Sequence, residues 1–452
     1  MALSRIWAAF ILISIVVATV RYAFVPADKE IFAQMVTGKA GDTVRVAGAA
    51  SVAAGAGSDR MRPVTGPGYT VQQADGLLQT CTNAVTLSLG LIGIMALFMG
   101  LVTIAEQAGG MRWLARVAGP FVSKLFPDIP KGHPAMGHMV MNFSANLLGL
   151  DNAATPFALK AMDSLQEINP DKTTASNSQI MFLCLHASGL QVIPISIIAL
   201  RASMHAPDPT DIFVPIVIAT FITTVASMCI VAAWQRINIF KPVVFAWIGG
   251  LSVLVASLVL YLRSLSTEHV QAFSRALSGG LILLIFFIIV GVALARKVNL
   301  FDAFVQGARG GFETAVRIIP YLVGMLAAIS LLRTSGTFGA VIDGIKHFFT
   351  AVGADTRFVD GLPTALIKPL TAAGARGMLV STMQTFGPTS FAARLSGIMQ
   401  GASDSTFYIV AVYFGAVGIR NTRYAIGAML LADLVSLLSS IFLCYLFFGG
   451  VK

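Results

Sequence analysis

Long apolar segments recur along most of the chain, and they constrain its fold more than any single motif does. The longer ones reach the roughly 20 apolar residues that an α-helix needs to cross a bilayer. Only 12% of the residues are charged, whereas an ordinary soluble protein carries about 25%. The net charge of +10 is spread over short loops, which is typical of a membrane protein and not of a nucleic-acid-binding tail. The sequence therefore predicts an all-α polytopic membrane protein that sits in a lipid bilayer and has no nucleic-acid partner.

These segments predict about nine transmembrane helices. The expected spans are residues 6–25, 84–105, 178–200, 212–234, 243–262, 277–295, 314–332, 396–418 and 424–448. Residues 26–80 are more polar, so we expect a long external loop there, with a short interfacial helix at 72–82. We also expect surface helices within 107–133 and at 338–349, and an interfacial helix at 301–312.

Two stretches do not fit a simple spanning helix. Residues 142–157 combine Asn, Ser, Asp and Thr side chains with Gly149 and Pro156, and residues 362–377 combine Thr, Lys and Arg side chains with two prolines and two glycines. Polar groups and interrupted backbone are tolerated at membrane depth only where protein buries them or where they line a cavity. We therefore expect two broken, re-entrant helical hairpins, at 133–165 and at 362–386.

The order of elements repeats along the chain. Gln107-Ala-Gly-Gly aligns with Thr334-Ser-Gly-Thr, and Asn177-Ser-Gln aligns with Ser403-Asp-Ser. An odd number of expected crossings separates the two copies, so the repeats should be inverted, as in many transporters. The predicted division is 1–70 (first helix and external loop), 71–240 (first repeat), 241–298 (linking helices) and 299–452 (second repeat).

Loop charge supports this orientation only in part. Basic residues in four loops lie on one expected side of the membrane, which would be the cytoplasmic side. The opposing region 334–397 also contains basic residues, namely Lys346, Arg357, Lys368, Arg376 and Arg394.

Candidate binding residues cluster where helices are expected to start inside the membrane. Such starts expose free N–H groups and the positive end of the helix dipole. Asp151, Asn152, Asn177, Ser403 and Asp404 are placed to cap these starts, and they either bind a solute or serve only as caps. Amide side chains offer paired donors and acceptors, which suit a neutral polar solute. The substrate-binding candidates are Asn142, Asn146, Asp151, Asn152, Thr155, Asn177, Gln179, Gln191, Arg376, Gln400, Ser403, Asp404 and Ser405.

Three charged residues are of special interest. Arg376, within Gly374-Ala-Arg-Gly377, would either clamp a carboxylate or phosphate at a hairpin tip or make a structural tie to carbonyls or to Asp404. Asp433 lies inside the last span, where a carboxylate indicates ion coupling or a salt bridge. Glu106, a second ion-coupling candidate, matches the position of Arg333 in the other half; the two would either pair or anchor their helices at the membrane interface.

Other chemistries lack their motifs. The cysteines are isolated, with no C-x-x-C, and no P-loop, H-E-x-x-H or G-x-S-x-G occurs. We therefore expect no catalytic residues, no metal site, no cofactor and no enzymatic activity.

Several motifs resemble those of a known family. Asn146-Leu-Leu-Gly-Leu-Asp-Asn-Ala-Ala-Thr-Pro-Phe-Ala-Leu-Lys-Ala-Met162 resembles spore maturation protein A, and Met399-Gln-Gly-Ala-Ser-Asp-Ser-Thr-Phe-Tyr408 resembles spore maturation protein B. The chain looks like a fusion of these two members of the nucleoside recognition (Gate) domain family, over most of residues 75–235 and 300–448. The resemblance implies a multi-pass protein of the bacterial inner membrane. It also implies kinship with concentrative nucleoside transporters and with the membrane part of the ferrous iron transporter B.

The function expected from these features is transport or permeation of a small polar solute. The solute would be nucleoside-like or a small organic anion, and it would pass through a midplane site between the two broken hairpins. We also expect that the chain can form a homo-oligomer. The alternatives are a non-transporting membrane scaffold that influences envelope or spore maturation, and a metal-ion permease.

Overall fold

The computed structural model describes residues 2–38, 43–45, 70–72, 76–130, 132–147, 151–191, 193–237, 242–265 and 267–450. The described chain is almost entirely helical. Its helices are α1 (Ala2–Phe24), α2 (Ile31–Thr37), α3 (Leu77–Gln107), α4 (Gly110–Leu125), α5 (Pro134–Leu147), α6 (Asp151–Glu167), α7 (Asn177–Ala187), α8 (Ile195–Ser203), α9 (Phe213–Gln235), α10 (Pro242–Arg263), α11 (Thr267–Ala295), α12 (Leu300–Thr334), α13 (Thr337–Ala351), α14 (Leu362–Ile367), α15 (Ala372–Phe386), α16 (Phe391–Gly401), α17 (Thr406–Ile409) and α18 (Ala425–Phe448).

Short elements complete the chain. Strand β1 (Thr43–Arg45) pairs antiparallel with β2 (Thr70–Gln72), and most of the predicted external loop between them lies outside the described residues. Two 3₁₀ turns, Pro26–Asp28 and Arg357–Gly361, connect helices. A π-helical turn, Val410–Phe414, extends α17.

Within the described residues, seven helices are long and apolar enough to cross a membrane. They are Trp7–Phe24, Leu77–Gln107, Phe213–Gln235, Val244–Tyr261, Ala276–Ala295, Leu300–Thr334 and Ala425–Phe448. The prediction of an all-α polytopic membrane protein is confirmed. The other two expected spans, 178–200 and 396–418, are not continuous helices.

Both of those segments are broken near their middle. In the first half, α7 ends at Ala187 and α8 begins only at Ile195. Gly189 has φ +57° in this gap, a conformation that favours glycine, and Pro194 directly precedes α8. In the second half, the gap lies between Gly401 and Thr406. The prediction of one uninterrupted helix over 178–200 was wrong, because local propensity does not reveal where a buried helix is held open. The second gap falls within the polar segment 400–406, where we expected a helix to start inside the membrane.

The long helices α3 and α12 each include residues that we expected to form separate elements. The predicted interfacial helix 72–82 is wrong, because β2 ends at Gln72 and α3 runs without a break from Leu77. The predicted pair 301–312 and 314–332 is the single 35-residue helix α12. Two glycines in this helix allow close packing on α3. A Cβ at Gly311 would lie 2.6 Å from the Met95 oxygen of α3, and Gly307 lies equally tightly against Met99 and Thr103.

The order of elements in the first half recurs in the second. In each half a long helix is followed by a left-handed glycine, a surface-type helix, a hairpin, a broken helix and a final span. Gly109 before α4 and Gly336 before α13 both have φ near +80°. Of the predicted boundaries, those after residues 240 and 298 fall between helices, and the one after 70 falls within β2. The four-part division stays a prediction.

Corresponding long helices pack side by side in opposite directions. Gln306 Oε1, near the start of α12, accepts a hydrogen bond from Gln107 Nε2, at the end of α3, at 2.9 Å. Further along α12, Gly311 lies against Met95, which is earlier in α3. An inverted repeat requires this antiparallel relation. The inversion across the bilayer itself stays a prediction.

Candidate functional site

The two helix breaks touch each other in the interior. The backbone N–H of Asp404 donates to the carbonyl oxygen of Ala187 at 2.7 Å. Gly189 lies beside the same contact, since a Cβ at that position would be 3.8 Å from both the Asp404 nitrogen and the Ser403 carbonyl carbon. Residues more than two hundred positions apart therefore join the discontinuous helix α7–α8 to the discontinuous helix α16–α17.

The tip of the second hairpin bridges the gap between α16 and α17. Buried Lys368, directly after α14, donates from Nζ to the carbonyl oxygens of Met399, at 2.8 Å, and of Gln400. The next residue, Pro369, accepts from the N–H of Phe407 at 2.9 Å. One tip thus satisfies free acceptors at the end of α16 and a free donor at the start of α17.

Asp433 of α18 completes this side of the site. Its carboxylate accepts from Thr406 Oγ1 at 2.7 Å and from Ser403 Oγ at 3.2 Å. A cavity of about 200 Å³ lies alongside, and its polar lining consists of Lys368, Ser403, Asp433 and Ser436. Opposite charges and hydroxyl groups therefore line part of a cavity whose remaining wall is apolar and includes leucines of α18.

In the first half, His186 connects the hairpin to the break. Its Nδ1 lies 2.9 Å from Asn146 Nδ2 and 3.0 Å from Asn142 Oδ1, and the tautomer decides which bond forms. Asn142 also donates to the Ala154 oxygen at 2.7 Å, which ties α5 to α6. The His186 ring meets Tyr413 of the π-helical turn edge-on, with ring centroids 5.0 Å apart.

Three buried polar atoms near these contacts have no hydrogen-bond partner among the described residues: Arg376 Nε, Gln400 Oε1 and Ser405 Oγ. Buried polar atoms in native proteins are nearly always paired with protein groups or water. Arg376 and Lys368 both lie within electrostatic range of the Asp404 carboxylate. The second half therefore holds two cations, two carboxylates and unused hydrogen-bonding capacity in one region.

One end of the broken helices is closed by a backbone ladder, which we call the 173–423 closure (residues 173–177 against 420–424). Arg420 and Asn421 donate their N–H groups to the Thr173 oxygen at 2.8 and 3.0 Å, and Ala175 donates to the Asn421 oxygen at 2.9 Å. Arg423 Nη1 also donates to Asn177 Oδ1 at 2.9 Å.

Asp171 shapes the loop that enters this closure. Its Oδ1 accepts from the N–H groups of Thr173, at 2.9 Å, and Thr174, at 3.2 Å, and from the Thr173 hydroxyl. Donation from the Thr173 backbone is the main reason that the pKa of Asp171 falls to about 2. The carboxylate therefore stays ionised and the loop keeps its shape at neutral pH.

The other end is closed by an ion cluster, which we call the 201–211–394 closure. Asp211 accepts from Arg201 Nη2 at 2.7 Å and from Arg394 Nε at 2.9 Å. Arg201 is fully buried and also donates to the Pro388 oxygen at 3.0 Å. The start of α16 thus lies beside the end of α8, while the chain after α17 lies beside the start of α7. The two broken helices run antiparallel and cross at their breaks.

The structure brings several of the predicted site residues together. Gln400, Ser403, Asp404, Ser405 and Asp433 meet at the second break, and Asn142 and Asn146 meet at His186. Thr155 lies within α6, and Gln191 lies partly exposed in the gap before α8. Asp151 and Asn152 begin α6, but their side chains lie outside the described part of the chain.

Three expected caps were wrong. Ser176, and not Asn177, caps α7, through a capping box with Gln179. Gln179 also donates from Nε2 to Gln166 and accepts from Asn169, so both ends of its amide are hydrogen-bonded within the protein. Ser403 and Asp404 do not cap α17, which begins after Ser405 without a side-chain cap bond. The side chain of Ser403 turns instead to Asp433, because that carboxylate accepts more strongly than a neutral group.

The predicted positions of two charged residues also need correction. Arg376 does not lie at the hairpin tip but inside α15, whose cap is Thr371. Glu106 is exposed at the end of α3, and the alternative in which it pairs with Arg333 was wrong. Arg333 donates to Thr385 Oγ1 and lies over the Phe338 ring.

The interior positions of Lys368 and Arg394 were not predicted from the sequence. Both were counted as loop charges, but Lys368 is buried in the site and Arg394 belongs to the 201–211–394 closure. A lysine directly before Pro369 in an apolar hairpin was the available signal. His186 was a lone histidine in an apolar helix, and its partners Asn142 and Asn146 lie about 40 residues earlier in the chain.

The regions that build the two halves of the site also match a known protein family. The family model described as nucleoside recognition, named Gate, matches residues 88–204 and 315–420. These two matches contain both hairpins and both helix breaks.

Two bacterial relatives align with about a third of the chain each. Spore maturation protein A of Bacillus subtilis is 40% identical over 156 residues, which is 34% of this chain and 80% of that protein. Spore maturation protein B of the same organism is 43% identical over 166 residues, which is 36% of this chain and 92% of that protein. A solved structure, that of the YdaH transporter of Alcanivorax borkumensis, aligns over 98% of both chains with 15% identity and a TM-score of 0.38. Since both relatives are matched over most of their own lengths, the chain belongs to the Gate, or nucleoside recognition, family of spore maturation proteins A and B.

Proposed function

We propose that this membrane protein transports a small polar solute, nucleoside-like or a small organic anion, across the bacterial inner membrane without converting it chemically. The observation that carries the proposal is the contact between the two helix breaks, where the Asp404 N–H meets the Ala187 oxygen. Discontinuous helices that meet at the middle of a membrane are the usual way in which transporters build a solute site. The nucleoside recognition family name supports the same substrate class.

The charges at the crossing limit which solutes fit. Lys368 and Arg376 balance Asp404 and Asp433, so the region is nearly neutral as a whole. Gln400 Oε1 is an unused acceptor, and Arg376 Nε is an unused donor. A solute that carries both donors and acceptors, with at most a single charge, would satisfy these groups without leaving a buried charge unpaired.

Both ends of the pathway are closed in this conformation. The cavity of about 200 Å³ is smaller than the roughly 300–1,000 Å³ of most ligand pockets. The 173–423 and 201–211–394 closures lie at opposite ends of the crossing helices. We infer that transport opens these closures alternately, with the crossing as the fixed point between them.

Uptake by proteoliposomes tests the proposal. Purified protein should take up at least one labelled solute from a panel of nucleosides and small organic acids faster than empty liposomes do. Asp433→Asn should lower the initial rate by about tenfold or more, because charge-assisted hydrogen bonds at the site contribute about 1.5–3 kcal/mol each.

Asp343→Asn is the matched control, because Asp343 is an exposed carboxylate on α13, and its uptake should equal that of the unchanged protein. Uptake retained in Asp433→Asn would show that the site is misplaced. A folded protein that moves no solute across the whole panel would favour a non-transporting membrane scaffold instead.

A further inference from the structure

The ammonium group of Lys368 has an unusual place for a lysine, because it caps the C-terminal end of a half-helix in the interior. It donates to the Met399 and Gln400 oxygens, which are among the last carbonyls of α16. The last carbonyls of any helix lack partners within the helix, and they carry the negative end of its dipole. A positive charge at this position is therefore electrostatically favoured.

The break itself keeps these carbonyls available. If α16 continued, the Asp404 N–H would bond to the Gln400 oxygen. That N–H is instead committed to Ala187 across the crossing. The Gln400 oxygen is thus left to a cation, and the Lys368 ammonium supplies it.

The surroundings are those of a small cation site. Lys368, Met399, Ser403 and Asp433 line the same cavity, so carbonyl, hydroxyl and carboxylate oxygens lie near one point. In discontinuous-helix transporters, the C-terminal ends of half-helices and unwound carbonyls coordinate the coupling cation. Here a side chain of the hairpin fills that position.

We propose that Lys368 is a tethered cation that replaces a monovalent metal ion at the end of α16. The protein therefore works without sodium or potassium, and removing the amine converts the position into a site for a monovalent cation. The first statement rests on the proposed transport function. The second concerns binding alone and holds or fails independently of it.

Thermal unfolding of the detergent-solubilised full-length protein tests the binding statement. The midpoint of the unchanged protein should be the same in sodium, potassium and choline chloride at equal ionic strength. Lys368→Ala should have a lower midpoint in choline, and sodium or potassium should raise it with a saturable dependence, because a ligand that binds only the folded state stabilises it.

Lys160→Ala is the matched control, since Lys160 is exposed on α6, and its midpoint should be the same in all three salts. A folded Lys368→Ala protein whose midpoint is equal in all three salts would overturn the proposal. A midpoint of the unchanged protein that rises specifically with sodium or potassium would also overturn it.

Uptake provides a second readout that does not require the variant to fold. Proteoliposomes containing the unchanged protein should take up solute equally fast in sodium and in choline buffers. An uptake rate about tenfold lower in choline than in sodium would overturn the proposal while leaving the transport function intact. In the reverse case, absence of all uptake together with a sodium-dependent midpoint in Lys368→Ala would support the cation site and refute the transport function.

Discussion

Asp211 binds one buried and one partly buried guanidinium group at once, and it links the two halves of the chain. Arg201 comes from α8 and Arg394 from α16, and the carboxylate uses one oxygen for each. A buried ion cluster often adds little net stability, because removing charges from water is costly. Removing one member is different, because the partners are left buried without compensation.

Asp211→Asn should therefore destabilise the protein by about 3–5 kcal/mol, the usual range for breaking a buried ion pair. The measurement is the unfolding midpoint in detergent, which should fall clearly below that of the unchanged protein. Asp163→Asn, a change at an exposed carboxylate of α6, should leave the midpoint where it is. Equal midpoints for the two variants would show that the cluster does not hold the closure.

Single residues were predicted best where their chemistry is local. The polar groups at the second break were identified because amides, hydroxyls and carboxylates are rare in spanning segments. The roles of Lys368 and His186 were not identified. Their partners lie on other elements, Met399 and Gln400 for the lysine and Asn142 and Asn146 for the histidine. Only folding brings those groups together.

At the scale of elements, close packing of α3 on α12 depends on glycine. Gly311 lies where any side chain would meet the backbone of Met95 and Ala96, and backbone cannot move aside cheaply. Gly310, its neighbour on the same helix, has open space around its Cβ position. Small residues allow this kind of backbone approach between membrane helices.

Alanine at these two neighbouring positions should have opposite effects. Gly310→Ala should be neutral or stabilising by about 0.5–1 kcal/mol, because alanine restricts the unfolded chain more than glycine does. Gly311→Ala should be destabilising by about 1–3 kcal/mol, because its Cβ overpacks the contact with α3. Unfolding midpoints of the two variants provide the comparison. A lower midpoint for Gly310→Ala than for Gly311→Ala would refute the packing assigned here.

The prediction of elements succeeded for uniform helices and failed at the break in the first half. The apolar runs that became α9, α10 and α18 were predicted to within a few residues, because length and hydropathy decide them. The end of α11 was also predicted, but this helix begins ten residues before the expected span, at Thr267. The gap after Ala187 was missed, since one glycine in an apolar run is compatible with a helix. That gap stays open because its Ala187 oxygen bonds to Asp404 in the other half. No local pattern contains this information.

For the whole molecule, the antiparallel arrangement of corresponding elements predicts opposite membrane sides for α4 and α13. Single cysteines at Ser123 and His347, both exposed, would be introduced after removal of the four native cysteines. An impermeant thiol reagent added outside oriented vesicles should label one position and not the other. A cysteine at Lys124 should behave like the one at Ser123. Labelling of Ser123 and His347 variants from the same side would refute the inverted repeat.

The central claim is that the two broken helices meet at their breaks and that solute passes there. A disulfide between cysteines introduced at Gly189 and Ser403 tests it most directly. A Cβ at Gly189 would lie 3.8 Å from the Ser403 carbonyl carbon, so the two Cα atoms lie within the roughly 7 Å that a disulfide can bridge. In the cysteine-free background, we expect oxidation to form the cross-link and to stop uptake, and reduction to restore it. Failure of the cross-link to form, or uptake that continues at an equal rate through cross-linked protein, would contradict the claim.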